Sequence, residues 1–320
     1  MNILLASAID AGAIEALERQ HDVVRAFGAG EEALHEAVQD REVVIFRSGV
    51  MISDRIMDAA PRLRLLVRAG SGLDNVDVEH ARAKGIRLVR VPGSSAPAVA
   101  ELTFALMLNL ARNVSLADRL LRQGHWPKNE LLGRLIEEKT LGVVGAGNIG
   151  STVGRLGAAW GMRVLGCVKS PSEERAATLR SLGIELTDYD TVLTQADFLT
   201  LHVPLDESTH HLIDAHALSR MKRGAFLVNI ARGGVVDDEA LFQALTSEEG
   251  LAGAALDVHE REGEGTHSPL EELRNVVLTP HIGAMAADSQ EQIGHRVLEL
   301  LDAFAGGGID HATRDGELVV

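Results

Sequence analysis

The sequence predicts an α/β protein made of two doubly wound parallel sheets with a cleft between them. Short apolar runs alternate with amphipathic stretches along nearly the whole chain, which is the pattern of parallel strands covered by helices. A second series of such runs begins near the middle of the chain, directly before a glycine-rich segment. With 320 residues and 46% apolar side chains, the chain can bury two separate cores.

The first hundred residues predict five strands with helices between them. The apolar runs place these strands at residues 3–6, 23–26, 43–46, 65–68 and 87–90. A long helical stretch follows at residues 98–123, and Trp126 with Pro127 marks its end. Residues 100–110 are apolar on almost every side, so we expect this segment to be buried, either within the subunit or against a partner.

Six more strands are predicted in the second half, at residues 141–144, 163–168, 198–202, 225–230, 252–257 and 276–279. Six strands with intervening helices fit a doubly wound nucleotide-binding domain, in which the fourth strand lies beside the first. A last helix is expected at residues 288–304, and the glycines at 306–308 predict a loose tail after it. We therefore expect a nucleotide-binding domain at residues 99–282 and a discontinuous substrate-binding domain at residues 1–98 and 283–320.

Three glycines spaced G-x-G-x-x-G stand between the apolar strand at 141–144 and a helical pattern. Gly145 permits a tight turn, Gly147 leaves room for a pyrophosphate, and Gly150 lets the helix approach the sheet. Asn148 and Ile149 begin that helix, whose N-terminal N–H groups attract an anion. This context predicts a dinucleotide-binding turn of the Rossmann type.

Composition and charge argue against several classes of protein. The net charge is −15 and no block of Lys and Arg occurs, so a nucleic-acid partner is not expected. Cys167 is the only cysteine, which excludes an intrachain disulfide and a multi-cysteine metal site, and we expect no metal. Neither a signal sequence nor a run of about 18 apolar residues occurs, so we expect a cytoplasmic protein without a membrane partner.

Three successive predicted strands lead into side chains that can bind a carboxylate or transfer a proton. Arg232 follows one strand, Asp257 ends the next, and His281 follows the last. A guanidinium can bind a carboxylate with two hydrogen bonds, while an imidazole can give a proton to a carbonyl oxygen. A nearby carboxylate would orient the imidazole, and Glu260 and Glu262 are both candidates. Each residue alone also fits a solvated surface position, so the prediction rests on their shared sheet edge.

Several segments, in order along the chain, are similar to those of one enzyme family. They are Arg68-Ala-Gly-Ser-Gly-Leu-Asp-Asn-Val-Asp77, Val99-Ala-Glu101, the glycine motif, His202-Val-Pro-Leu205, Val228-Asn-Ile-Ala-Arg-Gly-Gly-Val-Val-Asp237, Gly253-Ala-Ala-Leu-Asp-Val258 and Thr279-Pro-His-Ile-Gly-Ala284. At these residues the chain resembles the D-isomer-specific 2-hydroxyacid dehydrogenases, and among them the catalytic portion of D-3-phosphoglycerate dehydrogenases. The resemblance implies a flavodoxin-like substrate domain beside the Rossmann domain.

The resemblance also implies roles for the residues at the sheet edge. Arg232 would hold the substrate carboxylate and polarise its carbonyl, His281 would donate the proton, and Glu262 would tune His281. Asp257 would hydrogen-bond the nicotinamide carboxamide. The implied coenzyme contacts are Gly145, Gly147, Asn148, Ile149, Gly150, His202, Pro204, Thr209, Ala231, Asp257, His281 and Gly283.

The resemblance also implies that segments of the first domain bind the substrate. Backbone N–H groups of the turn at 69–72 would bind the substrate carboxylate, as a concave nest of amides binds an anion. Arg47 stands where phosphoglycerate dehydrogenases place a cation for the substrate phosphate, and it predicts a dianionic substrate, although a surface arginine fits the same position. The implied substrate contacts are Arg47, Ser48, Ala69, Gly70, Ser71, Gly72, Ser95, Arg232 and His281.

Departures from the family pattern limit these expectations. Ser95 replaces the amide side chain of the family segment Pro-Asn-Gly-Asn-Ser, and Gly263 follows Glu262 where a proline is usual. The choice between Glu262 and Glu260 as the partner of His281 therefore stays open. The chain ends near the end of the family's catalytic portion, so we do not expect an appended regulatory domain that binds serine.

The end of the second strand of the nucleotide domain bears on the choice of coenzyme. NAD enzymes place Asp or Glu there to bind the ribose 2′-hydroxyl, whereas this chain has Val168 followed by Lys169 and Ser170. An ammonium and a hydroxyl group without a carboxylate suit a 2′-phosphate. The sequence therefore favours NADP(H) over NAD(H).

The leading hypothesis is an NAD(P)-dependent D-2-hydroxyacid dehydrogenase that transfers hydride to or from C2 of a small, phosphoglycerate-like acid. A hydroxypyruvate or glyoxylate reductase is the alternative enzyme. A nucleotide-sensing corepressor resembling the C-terminal-binding proteins would keep the same fold, but no partner-binding extension is evident. Formate dehydrogenase is disfavoured, because that resemblance would place Gln beside the histidine. By analogy with the family, we expect a twofold homodimer.

Overall fold

The chain divides into two compact units, each with its own parallel sheet. The computed structural model describes residues 1–314 and 316–320. Unit 1 comprises Met1–Ser95 and Met285–Val320, and unit 2 comprises Ala96–Ala284. Both borders lie a few residues from those expected from the sequence.

The N-terminal part of unit 1 alternates strands and helices. Its elements are β1 (Asn2–Leu5), α1 (Ala11–Gln20), β2 (Asp22–Arg25), α2 (Glu31–Ala37), β3 (Val43–Phe46), α3 (Asp54–Asp58), β4 (Leu65–Arg68), α4 (Val78–Lys84) and β5 (Arg87–Arg90). The sheet order is β2-β1-β3-β4-β5 and every pairing is parallel. Asp10, Ser53 and Asp77 start three of the helices, because each side chain accepts a hydrogen bond from a backbone N–H in the first turn.

Unit 2 begins with two helices and continues into the larger sheet. Its elements are α5 (Ala96–Arg112), α6 (Val114–Arg122), β6 (Thr140–Val144), α7 (Asn148–Ala159), β7 (Arg163–Cys167), α8 (Glu173–Ser181), β8 (Ile184–Leu186), α9 (Tyr189–Gln195), β9 (Phe198–Leu201), α10 (Ala215–Arg220), β10 (Phe226–Asn229), a 3₁₀ turn (Gly233–Val235), α11 (Asp238–Thr246), β11 (Gly253–Leu256) and β12 (Val276–Leu278). The strand order is β12-β11-β10-β9-β6-β7-β8, again all parallel.

The chain then returns to unit 1, where α12 (Ala287–Ala305) packs on α1 and is followed by α13 (Ile309–Ala312). Apolar side chains fill both faces of each sheet. In β1, Ile3 and Leu5 enter one core and Leu4 enters the other. Because helices cover both faces, successive strand residues must all be apolar, which explains the continuous runs that predicted these strands.

The prediction of six strands in the nucleotide domain was wrong, because β8 makes a seventh. This strand has three residues, of which only Ile184 is buried, so it lacked an apolar run. As a result β9, not β10, is the fourth strand, and β9 lies beside β6. The expected contact between the first strand and the strand that precedes Arg232 is therefore also wrong, since β9 separates them.

Two further expectations about elements were wrong. The single helix expected at 98–123 is two helices, broken at Asn113, whose backbone φ of 56° is left-handed. The tail after the glycines is not loose: Leu318 forms an antiparallel bridge with Val89, and Glu317 forms a buried ion pair of 2.6 Å with Arg296. The tail thus extends the edge of the unit 1 sheet.

Helix α5 is buried largely by its own unit. Phe104, Met107 and Leu110 belong to the core of unit 2, and the helix contacts α7, β10 and β11. Its apolar character is therefore explained within the subunit. Among the described residues, no helix combines the length and apolar character that crossing a membrane requires.

Candidate functional site

Three adjacent parallel strands of unit 2 end at one edge of the sheet. β10 pairs with β11, and β11 pairs with β12. Because their carboxyl ends point the same way, the segments that carry Arg232, Asp257 and His281 follow neighbouring strands, as the sequence predicted. The sheet therefore brings the segments of all three residues to a common edge.

Asp257 holds the turn that carries His281. Its fully buried carboxylate accepts hydrogen bonds from the Thr279 hydroxyl at 2.6 Å, the Ile282 N–H at 2.9 Å and the Gly283 N–H at 2.8 Å. The backbone N–H of His281 also donates to the Asp257 carbonyl at 2.8 Å. Asp257 therefore has a structural task besides the coenzyme contact expected from the sequence.

His281 and Glu262 form a hydrogen-bonded pair. The imidazole Nδ1 lies 2.8 Å from a carboxylate oxygen of Glu262, and both side chains are partly exposed. Burial opposes ionisation of Glu262, but the hydrogen bond and charge of His281 outweigh it and hold the pKa of Glu262 below its ordinary value. The backbone of His281 has a φ of 53°, in the left-handed region that costs energy for a residue with a side chain.

The second candidate glutamate has a different partner. A carboxylate oxygen of Glu260 lies 2.8 Å from Nε2 of His211. The choice that the sequence left open is thus resolved in this geometry, in which Glu262 contacts His281 and Glu260 does not.

Arg232 is held in a tightly built turn. The buried Asn229 accepts a hydrogen bond from the Ala231 N–H at 3.1 Å and donates to the Arg232 carbonyl at 2.8 Å. The Arg232 guanidinium donates to the Ala231 carbonyl at 2.7 Å. At Gly233 a Cβ would lie 1.9 Å from the His259 carbonyl oxygen, so only glycine fits. Asn229 was not singled out from the sequence, although it lies in the segment that carried the resemblance.

The three glycines of the glycine-rich turn differ in what a side chain at each position would meet. Gly145 has a φ of 93°, and a Cβ there would lie 2.6 Å from the His202 carbonyl oxygen. At Gly150 a Cβ would lie 2.3 Å from the Gly145 carbonyl oxygen. At Gly147, in contrast, a Cβ would meet no described atom within 4 Å, and its φ is −81°. The protein itself therefore does not require glycine at 147, and the space over this turn fits a bound pyrophosphate.

A cavity of about 840 Å³ adjoins this turn at the carboxyl ends of β6 and β7. Gly145, Lys169 and Thr209, which were predicted as coenzyme contacts, line it, together with Val168 and Tyr189. Most of its lining surface is apolar, as is usual for small-molecule and cofactor sites. The residues that line it are Val144, Gly145, Cys167, Val168, Lys169, Pro171, Ser172, Glu173, Ala176, Leu186, Thr187, Asp188, Tyr189, Val203, Ser208, Thr209 and Leu212.

Two cations, Lys169 and Arg175, lie at the cavity or at the glycine-rich turn, and Arg175 was not predicted from the sequence. The Lys169 ammonium lies 3.1 Å from the Ser208 hydroxyl and 3.5 Å from Asp206. The Arg175 guanidinium, on α8, donates to the Ala146 carbonyl within the glycine-rich turn. The sequence did not indicate Arg175, because a loop and the first residues of α8 separate it from the end of β7. Ser170 is exposed and does not line the cavity.

The segment after β9 borders the same cavity. The Thr209 hydroxyl donates to the Pro204 carbonyl at 2.7 Å and accepts from the Asp206 N–H at 2.8 Å, which closes this loop. Nε2 of His202 lies 3.0 Å from the Thr200 hydroxyl, and burial lowers the pKa of His202 to about 3. His202 is therefore neutral at physiological pH.

In unit 1, Arg47 follows β3 and is half-buried. Its backbone N–H donates to the Ser7 hydroxyl at 3.0 Å, and its carbonyl accepts from Asn75 at 2.8 Å. Its guanidinium contacts the sulfur of Met285 at 3.4 Å, and no carboxylate of residues 1–314 or 316–320 forms an ion pair with it. Burial lowers the pKa of Arg47 from its usual value. Ser48, beside it, is exposed.

The turn at 69–72 follows β4. The N–H groups of Ala69 and Gly70 donate to the carbonyls of Phe46 and Arg68, so the expected anion nest depends on the N–H groups of Ser71 and Gly72. The side chain of Arg68 supports the turn by donating to the Gly72 carbonyl at 3.0 Å. Ser95, at the border of unit 1, is buried.

Among the described residues, no cluster of three or more His, Cys, Asp or Glu side chains is arranged to hold a metal ion.

Similarity to known proteins agrees with this geometry. The family described as "D-isomer specific 2-hydroxyacid dehydrogenase, NAD binding domain" matches residues 104–283. A hydroxypyruvate reductase of Thermotoga maritima is 40% identical over 276 residues, which cover 84% of this chain and 86% of the relative. A D-3-phosphoglycerate dehydrogenase of Methanocaldococcus jannaschii is 40% identical over 308 residues. That alignment covers 96% of this chain but 58% of the relative, so this chain spans little more than half the length of such dehydrogenases.

Solved structures give the same result for the fold. The structure of D-lactate dehydrogenase from Aquifex aeolicus, complexed with NAD and lactic acid, superposes with a TM-score of 0.87 at 30% identity, over 100% of this chain and 99% of that one. The TT0316 protein of Thermus thermophilus superposes with a TM-score of 0.88 at 35% identity, over the full length of both chains. From the family match and these relatives, the chain belongs to the D-isomer-specific 2-hydroxyacid dehydrogenases.

Proposed function

We propose that this chain is an NAD(P)-dependent reductase of small 2-oxo acids, in which Arg232, Glu262 and His281 carry the chemistry. The observation that supports this most is the hydrogen bond of 2.8 Å between Glu262 and His281, on a sheet edge that also carries the segment of Arg232. A cation, a proton donor and its orienting carboxylate are the groups that reduction of a 2-oxo acid needs.

The three side chains have different tasks in this mechanism. The Arg232 guanidinium binds the substrate carboxylate and stabilises the negative charge that develops on the carbonyl oxygen. His281 gives its proton to that oxygen. Glu262 accepts a hydrogen bond from Nδ1 of His281, fixes the ring orientation and stabilises the imidazolium form. When bound, the nicotinamide supplies the hydride for reduction or accepts it in the reverse direction.

The residues around the glycine-rich turn fit a dinucleotide. The open space over Gly147 suits the pyrophosphate, and the N-terminus of α7 favours its charge. We assign the remaining coenzyme contacts to the loop at 202–209 and to Ala231, Asp257 and Gly283. A nicotinamide carboxamide at Asp257 would share a carboxylate that already accepts hydrogen bonds from Thr279, Ile282 and Gly283.

We favour NADP(H) as the coenzyme. Val168 replaces the carboxylate that would repel a 2′-phosphate, Lys169 lines the cavity, and the Arg175 guanidinium contacts the glycine-rich turn. Glu173 and Asp188 also line the cavity and oppose this preference, so the net discrimination is modest. Val168→Asp is expected to raise kcat/KM with NADH relative to NADPH, because it restores a partner for the ribose hydroxyl.

Unit 1 is proposed as the substrate-binding domain, and a dianionic acid as the substrate. Arg47 is a half-buried cation without a carboxylate partner among residues 1–314 and 316–320, as a site for a second anionic group would need. Ser48, Ser71, Gly72 and Ser95 are the other proposed contacts. The D-3-phosphoglycerate dehydrogenase and hydroxypyruvate reductase relatives are equally similar, so a hydroxypyruvate or glyoxylate reductase is the second candidate.

We also propose a homodimer, formed by the segment from α6 to β6 rather than by the buried face of α5. Large apolar side chains are exposed along this segment, and their burial against a second copy would be favourable. They are Val114, Leu121, Trp126, Leu132 and Leu135, of which Trp126 is 80% and Leu132 90% exposed. Sedimentation velocity tests this, since Leu132→Glu should shift the protein toward monomer.

A cytoplasmic location is proposed from the single buried thiol, Cys167, which suits a reducing compartment.

Turnover of a panel of 2-oxo acids with each coenzyme tests the proposed function. 3-Phosphohydroxypyruvate with NADPH is expected to give the highest kcat/KM, and Arg47→Ala should lower it without a comparable loss for glyoxylate, which has one anionic group. A higher kcat/KM for hydroxypyruvate, or an equal loss for both acids in Arg47→Ala, would favour the second candidate. A strong preference for NADH would overturn the coenzyme assignment.

A further inference from the structure

We propose that His211 and Glu260 are positioning residues that hold Glu262 in place for His281. This inference rests on the proposed function, because it assumes that Glu262 supports the proton donor. It assigns a task to Glu260, the glutamate that does not contact His281.

His211 joins two of the loops that carry the proposed catalytic residues. Its Nε2–H donates to the Glu260 carboxylate at 2.8 Å, two residues before Glu262. Its backbone N–H donates to the Gly234 carbonyl at 2.8 Å, two residues after Arg232. A single residue therefore ties the Arg232 turn to the Glu262 loop.

The segment around His211 is rigid enough to serve as an anchor. Its ring stacks on that of His210 with centroids 4.1 Å apart, and its backbone is held in the left-handed region at a φ of 49°. Just beyond it, Ile213 pairs with the chain at Val236, through hydrogen bonds of 3.1 Å on both sides. An otherwise unfavourable backbone conformation persists only where its surroundings fix it.

The Glu262 loop, in contrast, has little else to hold it. Residues 260–267 are all exposed, between the buried side chains of Val258 and Leu270. Gly263 and Gly265 have positive φ values of 132° and 79°, and glycine adds conformational freedom. Apolar burial therefore cannot fix this loop, and hydrogen bonds must do so.

Two hydrogen bonds from His259 complete the anchorage. Its Nε2 lies 2.9 Å from the Thr279 carbonyl oxygen, and its backbone N–H donates to one carboxylate oxygen of Glu262 at 3.3 Å. The other oxygen of Glu262 contacts His281. With His259 bound to Thr279 and Glu260 bound to His211, the loop is held at the two residues that lead into Glu262.

Neighbouring carboxyl groups repel Glu260, so Glu260 needs a hydrogen-bond partner to keep its position in the loop. Asp237 lies 3.8 Å from Nδ1 of His211. Burial, together with the charge of Glu260, raises the pKa of Asp238 to about 6. Glu260 thus sits among carboxyl groups that repel it, and His211 offsets this repulsion.

Steady-state kinetics of His211→Ala and Glu260→Ala, each made in the wild-type and in the Glu262→Gln background, tests the proposal. In the wild-type background each change should lower kcat by about tenfold with the KM of the 2-oxo acid unchanged, an effect of the size expected for coupled neighbours. In the Glu262→Gln background the same changes should alter kcat by less than about twofold, because the carboxylate they position is already absent. His211→Gln, whose amide can still donate to Glu260, should restore most of kcat. His80→Ala is the matched control, because it removes a contact of 2.9 Å between a histidine and a carboxylate, that of Asp58, in unit 1.

Equal losses of kcat in the two backgrounds, or no loss in the wild-type background, would overturn the proposal. Glu260 is exposed, so Glu260→Ala keeps the test available if His211→Ala does not fold. The single variant Glu262→Gln separates this inference from the proposed function. If Glu262→Gln keeps the full kcat, the proposed role of Glu262 fails and the positioning proposal fails with it. If Glu262→Gln loses activity and Glu260→Ala does not, only the positioning proposal fails.

Discussion

Nδ1 of His281 lies 2.8 Å from a carboxylate oxygen of Glu262, although the two residues come from different loops of unit 2. A carboxylate can only accept this hydrogen bond, so the proton is on Nδ1 and Nε2 is the atom that can serve the substrate. Because the pKa of Glu262 is held below its ordinary value of 4.5, the carboxylate stays ionised at neutral pH. The contact is therefore lost only in acid, as the pH falls through that lowered pKa.

His281→Asn is the substitution that removes the proton donor most cleanly. Asn adopts the left-handed backbone of this position more readily than most residues, whereas Ala would add strain. We expect kcat for reduction to fall by about 10²–10⁴-fold, the usual loss for a positioned general acid. The melting temperature should change little, and a variant with the wild-type kcat would remove His281 from the mechanism.

Two neighbouring glycines offer a test of how the Arg232 turn is built. Gly233→Ala would place a Cβ 1.9 Å from the His259 carbonyl oxygen, so the two loops must separate. Gly234→Ala meets only side-chain atoms at 3.5 Å or more, an ordinary contact distance. Thermal unfolding should show a loss of several kcal/mol, roughly 3, for Gly233→Ala and of about 1 or less for Gly234→Ala. Similar losses in both variants would contradict the observed packing.

Substitutions at two glycines of the glycine-rich turn should affect different properties, coenzyme binding in one case and stability in the other. Gly147→Ala adds a Cβ to open space, so the protein should keep its stability while the KM for the coenzyme rises by about tenfold or more. Gly150→Ala places a Cβ 2.3 Å from the Gly145 carbonyl oxygen and should instead destabilise the fold. Calorimetric titration with NADPH, beside a melting curve, distinguishes the two. Unchanged coenzyme affinity in Gly147→Ala would mean that the pyrophosphate does not lie over this turn.

Tyr189 is the only tyrosine of the chain, so its ionisation can be followed directly by absorbance. Its hydroxyl donates to the Leu212 carbonyl at 3.1 Å, and burial raises its pKa to about 12 from an ordinary value of 10.0. The unfolded chain ionises at the lower value, so this residue's contribution to stability is present below pH 10 and is lost as the pH rises toward 12. Tyr189→Phe should abolish the signal and cost about 1 kcal/mol. A midpoint at the ordinary value in the folded protein would contradict the burial of this hydroxyl.

Most strands were predicted correctly from the sequence. The predictions of elements were wrong where the apolar pattern gives no signal. β3 and β4 were placed at the observed residues because strands covered on both faces require continuous apolar runs, and β5 was found from its two buried central residues, Leu88 and Val89. β8 was missed because Ile184 is its only buried residue. The break in the long helix depends on a left-handed conformation at Asn113, which leaves the apolar pattern on either side intact.

In the candidate site, too, some residues could be predicted from the sequence and others could not. Arg232, Asp257 and His281 could be found because each stands directly after an apolar strand. The partner of His281 could not be chosen, since Glu260 and Glu262 lie in one polar loop and only the folded chain separates their contacts. Arg175 and His211 escaped notice because their importance depends on residues distant in the sequence, the turn at Ala146 and the loop at Glu260.

Transfer of a deuterium label is the most direct test of the central claim that this site reduces a 2-oxo acid. The wild-type protein would be incubated with 3-phosphohydroxypyruvate, or with hydroxypyruvate, and with NADPH or NADH that carries deuterium at the transferable position of the nicotinamide. We predict a D-2-hydroxy acid with deuterium at C2, and a much slower appearance of that product with His281→Asn. A protein that binds the coenzyme but yields no labelled product with any of these combinations would contradict the account.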